Sequence, residues 1–176
     1  MRKALVVIDM VKGFFVKGNP LYCGEETREI VPFVKAKLEE YEEKGDFVVF
    51  MCDHHAPDDR EFAAFPPHCV KGTEETEVID ELKEFAERHT ILPKTRYSAF
   101  HGTDLGRVLE EAKPDVVEVV GVCTNICVLF TVEDLRNRDY AVRVYAEGVT
   151  SFDPEAHEFA LKQIESVLAV EVVRGN

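Results

Sequence analysis

The sequence has no long apolar run, no cluster of basic residues and no internal repeat. No stretch approaches the roughly 20 apolar residues that a membrane span requires, which excludes a membrane as an expected partner. The chain carries 34 acidic against 21 basic residues, a formal net charge of −13, and nowhere gathers lysine or arginine into a phosphate-binding face. Nucleic acid is therefore excluded as well.

The five cysteines lack the spacing of a disulfide scaffold, and their odd number favours reduced thiols, at least one of them free to react. Near the start, Arg2 and Lys3 precede a short apolar run, but Asp9 and Lys12 interrupt it and no small-residue cleavage site follows. These features predict a soluble, cytoplasmic protein. The length of 176 residues, 45% of them hydrophobic, predicts a single domain over residues 1–176.

Short apolar runs alternate with longer segments of helical periodicity. The runs are continuously hydrophobic, which is typical of parallel strands buried on both faces. This order predicts a three-layer α/β/α fold with a six-stranded, mostly parallel sheet. The predicted strands are residues 4–8, 47–52, 91–92 with their neighbours, 116–122, 141–145 and 167–173. The predicted helices are residues 25–44, 74–88, 103–113, 124–138 and 153–166.

Residues suited to chemistry follow four of the predicted strands. Asp9 comes after the first strand and Asp53 after the second. Lys94 ends the third, and the fourth turns at Gly121 shortly before Cys127. Ligands of open parallel sheets collect at the carboxyl ends of the strands. We therefore expect these groups to converge at one edge of the sheet.

Cys127 is a candidate nucleophile. A helix predicted from Thr124 places it in the first turn, where the helix dipole and unpaired N–H groups lower the pKa of a thiol, so we expect a thiolate. Asp9 could take and return a proton, and Lys94 would hold the anionic forms of both groups. Taken singly, a cysteine is more often a buried apolar side chain, an aspartate a cap and a lysine a surface charge. Only the convergence of the three favours catalysis.

A second cluster lies in the loop after the second predicted strand. Asp53 and His55 are alternate residues of an extended segment, so both can face one ion. The chain then returns past two prolines to His68, and Glu61 lies between His55 and His68 in sequence. Two imidazoles with one or two carboxylates suit zinc, manganese or ferrous iron. The spacing alone also fits loop histidines that only bind solvent.

Jointly, these residues resemble the isochorismatase-like cysteine hydrolases over nearly the whole chain. The metal loop resembles that of the nicotinamidase, or pyrazinamidase, branch, and isochorismatases lack this set. The chain departs from that branch at Phe65, where Trp is usual, and at Val11 and Lys12, where Gln-Asn or similar residues are usual. The matching stretches are residues 5–9, 94–100 and 121–128, and for the metal loop residues 53–55 and 65–73.

The resemblance implies a metal-dependent amidohydrolase that converts nicotinamide to nicotinate and ammonia through a thioester on Cys127, assisted by Asp9 and Lys94. It implies an oxyanion hole built from the backbone N–H groups of Cys123 and Cys127, after a cis bond between Val122 and Cys123.

The resemblance also implies one divalent metal ion, with zinc favoured over iron or manganese, and a small carboxamide as substrate. No organic cofactor is required. Asp53, His55 and His68 are the implied ligands, with Glu61 as the fourth. Phe14, Phe65 and Tyr97 are expected to pack against the substrate ring.

Two alternatives stay open from the sequence. One is a cysteine amidohydrolase of the same superfamily that acts on another carboxamide or on a ureido or carbamoyl compound. The other is a metal-binding or thiol-sensing module without hydrolysis, in which Cys123 and Cys127 form a redox pair. A homo-oligomer is also open, because composition does not separate core phenylalanines from interface ones.

Overall fold

A computed structural model describes residues 1–175 and contains one sheet of six parallel strands. The strand order across the sheet is β3-β2-β1-β4-β5-β6. The chain thus builds outward from β1 to β3, returns, and builds the other half from β4 to β6. The strands are β1 Lys3–Ile8, β2 Phe47–Asp53, β3 Thr90–Lys94, β4 Val116–Val122, β5 Val142–Thr150 and β6 Glu171–Val173.

Helices cover both faces of the sheet. Alternate residues of β1 separate the two layers: Leu5 and Val7 belong to the apolar core under α2, and Val6 and Ile8 to the core under α4, α5 and α6. No helix within residues 1–175 has the length and apolar character that a membrane crossing demands. The helices are α1 Lys12–Phe15, α2 Val31–Lys44, α3 Lys83–Arg88, α4 Leu105–Ala112, α5 Leu129–Asn137 and α6 Pro154–Ser166.

The structure confirms the predicted α/β class and six-stranded sheet, and every pairing in the sheet is parallel. Helix ends follow their sequence signals. Gly45 ends α2 in the left-handed conformation with a φ of 67°. At the start of α6, the Asp153 side chain accepts a hydrogen bond from the backbone N–H of Ala156, and Pro154 is the first helical residue.

The helix predicted over residues 74–88 was wrong in its first half, because only α3 at the end of that range is α-helical. Residues earlier in that range form backbone hydrogen bonds with the segment that follows β1. The N–H of Lys12 donates to the carbonyl of Glu77, and the N–H of Ile79 donates to that of Met10. These tertiary hydrogen bonds hold the segment extended and override its helical periodicity.

Gly121, in β4, occupies a position that requires glycine. Its φ is 120°, and an added Cβ would lie 2.0 Å from the carbonyl oxygen of Ile8 in the adjacent strand. We expect Gly121→Ala to lower the free energy of unfolding by about 3 kcal/mol or more, since β1 must move to admit the methyl group. Urea unfolding followed by circular dichroism measures this loss.

Gly45→Ala is the matched control for Gly121→Ala. Gly45 also has a positive φ, of 67°, but nothing lies within 4 Å of a Cβ built there. Only the left-handed conformation is then penalised, at roughly 1–2 kcal/mol. Equal losses at the two positions would refute the steric explanation.

Glu118 is a buried carboxylate in the middle of β4. Lys3 and Arg143 donate to its Oε1 over 2.9 and 3.0 Å, and the Tyr41 hydroxyl donates to its Oε2 over 2.8 Å. Burial opposes the charge, but the bonds from Lys3 and Tyr41 lower the pKa of Glu118 below its ordinary value. The stabilisation is therefore present above the ordinary glutamate pKa and is lost as the pH falls through the folded value.

We expect Glu118→Gln to lower the free energy of unfolding at pH 7 by about 2 kcal/mol, because Lys3 and Arg143 lose a counter-charge but stay partly solvated. The difference from wild type should be smaller at pH 4 than at pH 7, because pH 4 lies below the ordinary glutamate pKa and the stabilisation fades as the pH falls towards the lowered folded value. Urea unfolding at both pH values tests this, with exposed Glu110→Gln as the control. A loss that does not change with pH would contradict the role of charge.

Candidate active site

Asp9, Lys94 and Cys127 meet at the carboxyl edge of the sheet. The Lys94 Nζ lies 2.9 Å from Oδ2 of Asp9, as an ion pair rather than an aligned hydrogen bond, and donates to the Cys127 Sγ over 3.4 Å. Asp9 directly follows β1, and Lys94 ends β3. The meeting point lies where the strand order reverses between β1 and β4, the usual ligand position in such sheets.

Backbone and side-chain bonds fix Asp9 and Lys94. Asp9 Oδ1 accepts a hydrogen bond of 2.9 Å from the backbone N–H of Asp53, at the end of β2. Lys94 also donates to the Asp53 carboxylate and, over 3.1 Å, to the carbonyl of Arg96. Asp9 and Lys94 are 0% and 1% exposed. One buried ammonium is thus shared by two carboxylates and a thiol, which favours a fixed geometry.

Burial raises the pKa of Asp9 to about 7, and the neighbouring Asp53 carboxylate adds to the effect, while Lys94 opposes it. For Lys94, burial opposes the charge, but Asp53 and Asp9 raise its pKa well above the ordinary value. Near neutral pH the site therefore holds a permanent cation beside a carboxyl group poised to exchange a proton.

The predicted thiolate on Cys127 was wrong. Burial raises the pKa of Cys127 well above the ordinary value, and Lys94 only partly offsets it. Cys127 also lies in a π turn, Thr124–Val128, rather than in the first turn of a regular α-helix, because Val128 donates to the carbonyl five residues earlier, at Cys123. The resting group is a thiol, so its attack needs a base.

The loop between β4 and α5 carries the two predicted oxyanion donors. Its Val122–Cys123 peptide bond is cis, as the resemblance implied. The Thr124 hydroxyl and Nδ1 of His157 are 2.8 Å apart, and the Ser151 hydroxyl donates to the Asn125 side chain over 2.6 Å. His157 lies in α6, and no sequence pattern in that helix signals this contact.

Asp53, His55, Glu61 and His68 form a second cluster beside these groups. One ligand atom from each lies within 4.8 Å of all the others. Nε2 of His55 and Nε2 of His68 lie 3.5 and 3.6 Å from Oδ2 of Asp53, and each lies 3.9 Å from Oε1 of Glu61. The structure thus brings together all four residues that the resemblance implied.

The cluster fits a divalent cation. Nε2 of His55 and Oε2 of Glu61 are buried without a hydrogen-bond partner, which is costly unless an ion completes the site. Nδ1 of His68 lies 2.8 Å from the carbonyl oxygen of Pro66, so the proton on Nδ1 leaves Nε2 free to bind. Two imidazoles with two carboxylates suit zinc, iron or manganese.

A cavity of about 200 Å³ joins the two clusters. It is small for a ligand pocket, so it suits a single-ring molecule. The predicted ring contacts Phe14, Phe65 and Tyr97 line it, together with Asp9, Cys127 and three of the four metal-cluster residues. Sequence reasoning missed the rest of the wall, which comes from Pro20, Leu21, Tyr22, Cys23, Val122, Ile126 and Phe152.

Comparison with known proteins agrees with this geometry. The protein-family model for the isochorismatase domain matches residues 3–174 of this chain. The chain belongs to the isochorismatase family. A crystal structure of nicotinamidase PncA from Bacillus subtilis is 37% identical to this family member, with a TM-score of 0.93 over 98% of this chain and 99% of that one.

Two further structures of the isochorismatase family bear on substrate and metal. N-carbamoylsarcosine amidase from Thermoplasma acidophilum is 32% identical, with a TM-score of 0.87 over 99% of this chain and 96% of that one. A pyrazinamidase of Pyrococcus horikoshii in complex with zinc is 30% identical, with a TM-score of 0.87 over 99% and 100% of the two chains. The Asp/His/Glu cluster of this chain matches the metal site of zinc-bound relatives.

Proposed function

We propose that the chain is a nicotinamidase: a metal-dependent cysteine amidohydrolase that converts nicotinamide to nicotinate and ammonia. The observation that carries the proposal is that Asp9 and Cys127 line the same small cavity as Asp53, Glu61 and His68. A single-ring carboxamide can therefore contact the metal cluster and the nucleophile at once. Similarity to nicotinamidases over nearly the full length of both chains supports this choice.

The reaction begins with the thiol proton. Asp9, whose pKa lies near 7, accepts the proton of Cys127 as the sulfur attacks the amide carbon and the C–S bond forms. Lys94 stays charged and balances the negative charge that moves between the two groups. The backbone N–H groups of Cys123 and Cys127 donate to the developing oxyanion.

Asp9 then returns the proton to the departing nitrogen. The C–N bond breaks, ammonia leaves, and a thioester remains on Cys127. A water that gives its proton to Asp9 attacks this thioester, which releases nicotinate and restores the thiol.

Phe14, Phe65 and Tyr97 hold the ring over the sulfur and so lower the entropic part of the barrier. When bound by Asp53, His55, Glu61 and His68, a zinc ion, or iron or manganese in its place, would supply a Lewis acid for the pyridine nitrogen.

A second candidate is hydrolysis of a carbamoyl or ureido compound. The similarity to N-carbamoylsarcosine amidase favours it. The two candidates differ in their need for the metal cluster, because a ureido substrate has no ring nitrogen for an ion to hold. Dependence on a divalent ion therefore separates them.

The test is an ammonia-release assay on nicotinamide, pyrazinamide and N-carbamoylsarcosine, with protein as purified, after chelation, and after zinc is restored. We expect turnover of the two ring amides, loss with chelator and recovery with zinc. Turnover of N-carbamoylsarcosine alone, unaffected by chelator, would establish the second candidate instead. Ammonia release from none of the three would refute the proposed function.

A further inference from the structure

Asp59 is a buried carboxylate beside the metal cluster that is not one of the four residues facing the ion position. Its side chain is 7% exposed, although the residue lies in a surface loop between Asp53 and Glu61. Oδ2 lies 3.0 Å from Nδ1 of His55, and Oδ1 accepts a hydrogen bond of 2.9 Å from the backbone N–H of Glu61. Asp59 therefore contacts two members of the cluster through groups that do not face the ion.

The contact with His55 selects a tautomer. The Asp59 carboxylate only accepts hydrogen bonds, so Nδ1 of His55 carries the proton and Nε2 presents its lone pair. Nε2 is the atom that is buried without a hydrogen-bond partner and that lies 3.5 Å from Oδ2 of Asp53. A carboxylate behind a metal-binding imidazole fixes the ring and makes its nitrogen more basic.

The contact with Glu61 fixes the other side of the cluster. Asp59 is the N-cap of the short 3₁₀ helix Arg60–Ala63, which carries Glu61. Arg96 donates to both oxygens of Asp59, over 2.9 and 3.1 Å, and so neutralises the carboxylate. The carbonyl of Arg96 accepts a hydrogen bond from Lys94. One carboxylate thus connects two metal-cluster residues to the loop after β3, whose Arg96 carbonyl accepts a hydrogen bond from the catalytic-site lysine.

We propose that Asp59 is a positioning residue of the metal centre, which holds His55 in its metal-binding tautomer and Glu61 in place beside the other cluster residues. The inference rests on the metal site of the proposed function but not on the identity of the amide. It assigns a role to a residue that contacts neither substrate nor ion.

Asp59→Asn is the decisive variant, because asparagine has the same shape but one of its two oxygens becomes an NH₂ group. If that group faces His55, it donates to Nδ1 and moves the ring proton to Nε2, which then cannot bind a metal. If it faces the other way, it opposes the N–H of Glu61. Neither orientation satisfies both neighbours.

Asp58→Asn is the matched control, since Asp58 is the preceding residue, is exposed, and gives the same change in charge. Arg96→Met is a second variant. It removes the ion pair that anchors the loop but leaves Asp59 on His55, so it separates the loss of the tautomer from general loosening of the loop.

The measurement is zinc affinity of metal-free protein, by competition with a chromophoric chelator, together with the visible spectrum of the cobalt-substituted protein. We expect Asp59→Asn to weaken zinc binding by about 10- to 100-fold and to alter the cobalt spectrum. Asp58→Asn and Arg96→Met should stay close to wild type in both. The thermal unfolding temperature of the metal-free proteins shows that each variant is folded.

Equal zinc affinity in Asp59→Asn and Asp58→Asn would overturn the inference, and so would an equal loss in Asp59→Asn and Arg96→Met. Wild-type protein that binds no zinc would overturn it too. Nicotinamide turnover is measured separately at saturating zinc. If wild type binds zinc but does not hydrolyse nicotinamide, and Asp59→Asn alone binds weakly, the proposed function fails and the role of Asp59 stands.

Discussion

Cys127→Ala will abolish ammonia release from nicotinamide while the fold and the metal cluster persist. The sulfur forms the covalent bond to substrate in the proposed reaction, and no other group at that position can replace it. We expect kcat to fall by roughly ten thousand-fold or more, as for other removed nucleophiles. Steady-state ammonia release measures the loss, and zinc affinity of the same variant should equal that of wild type, since Sγ contacts Lys94 and not the cluster.

Cys52→Ala is the control for the removal of a buried thiol. Cys52 lies in β2, is 5% exposed and does not line the active-site cavity. Its loss creates a similar small void, so its activity should stay of the same order as wild type. If ammonia release survives Cys127→Ala, the thiol is not the nucleophile and the proposed mechanism is wrong.

The fold could be predicted from the sequence because its central strands are buried on both faces. Residues 4–8 and 116–122 are fully apolar apart from Glu118, and such runs are found almost only in parallel sheets covered by helices. The segment 74–88 could not be predicted from periodicity, because its conformation depends on backbone hydrogen bonds to residues 10–12. Local pattern gives the element type only where tertiary contacts do not compete with it.

The positions of Asp9, Lys94 and Cys127 could be predicted because strand ends share an edge in a parallel sheet. Their protonation could not. The expected thiolate followed from the helix start alone, and burial outweighs that effect at Cys127. Asp59 could not be predicted either, because its contact with His55 depends on a loop turn that no sequence spacing describes.

Lys94→Met is expected to destabilise the protein as well as inactivate it. Lys94 is buried between the carboxylates of Asp9 and Asp53, and methionine would leave both without a cation. We expect the free energy of unfolding of the metal-free protein to fall by about 3–5 kcal/mol, the usual cost of leaving buried charge unpaired. Urea unfolding measures the loss, and Lys71→Met, at an exposed lysine, should cost almost nothing.

The double variant Lys94→Met/Asp9→Asn distinguishes charge from packing. If the cost comes from unpaired carboxylates, the removal of one of them should restore part of the stability. The loss in the double variant is then smaller than the sum of the two single losses, by about 1–3 kcal/mol. Additive losses would mean that the ion pair between Lys94 and Asp9 contributes nothing to stability. Ammonia release should be lost in both single variants and in the double variant. The neutral amide introduced by Asp9→Asn accepts no proton from Cys127, and Lys94→Met removes the cation that balances the charge moving between the two groups. The double variant should therefore recover part of the stability without recovering any activity. An ion pair that serves both stability and catalysis predicts this result.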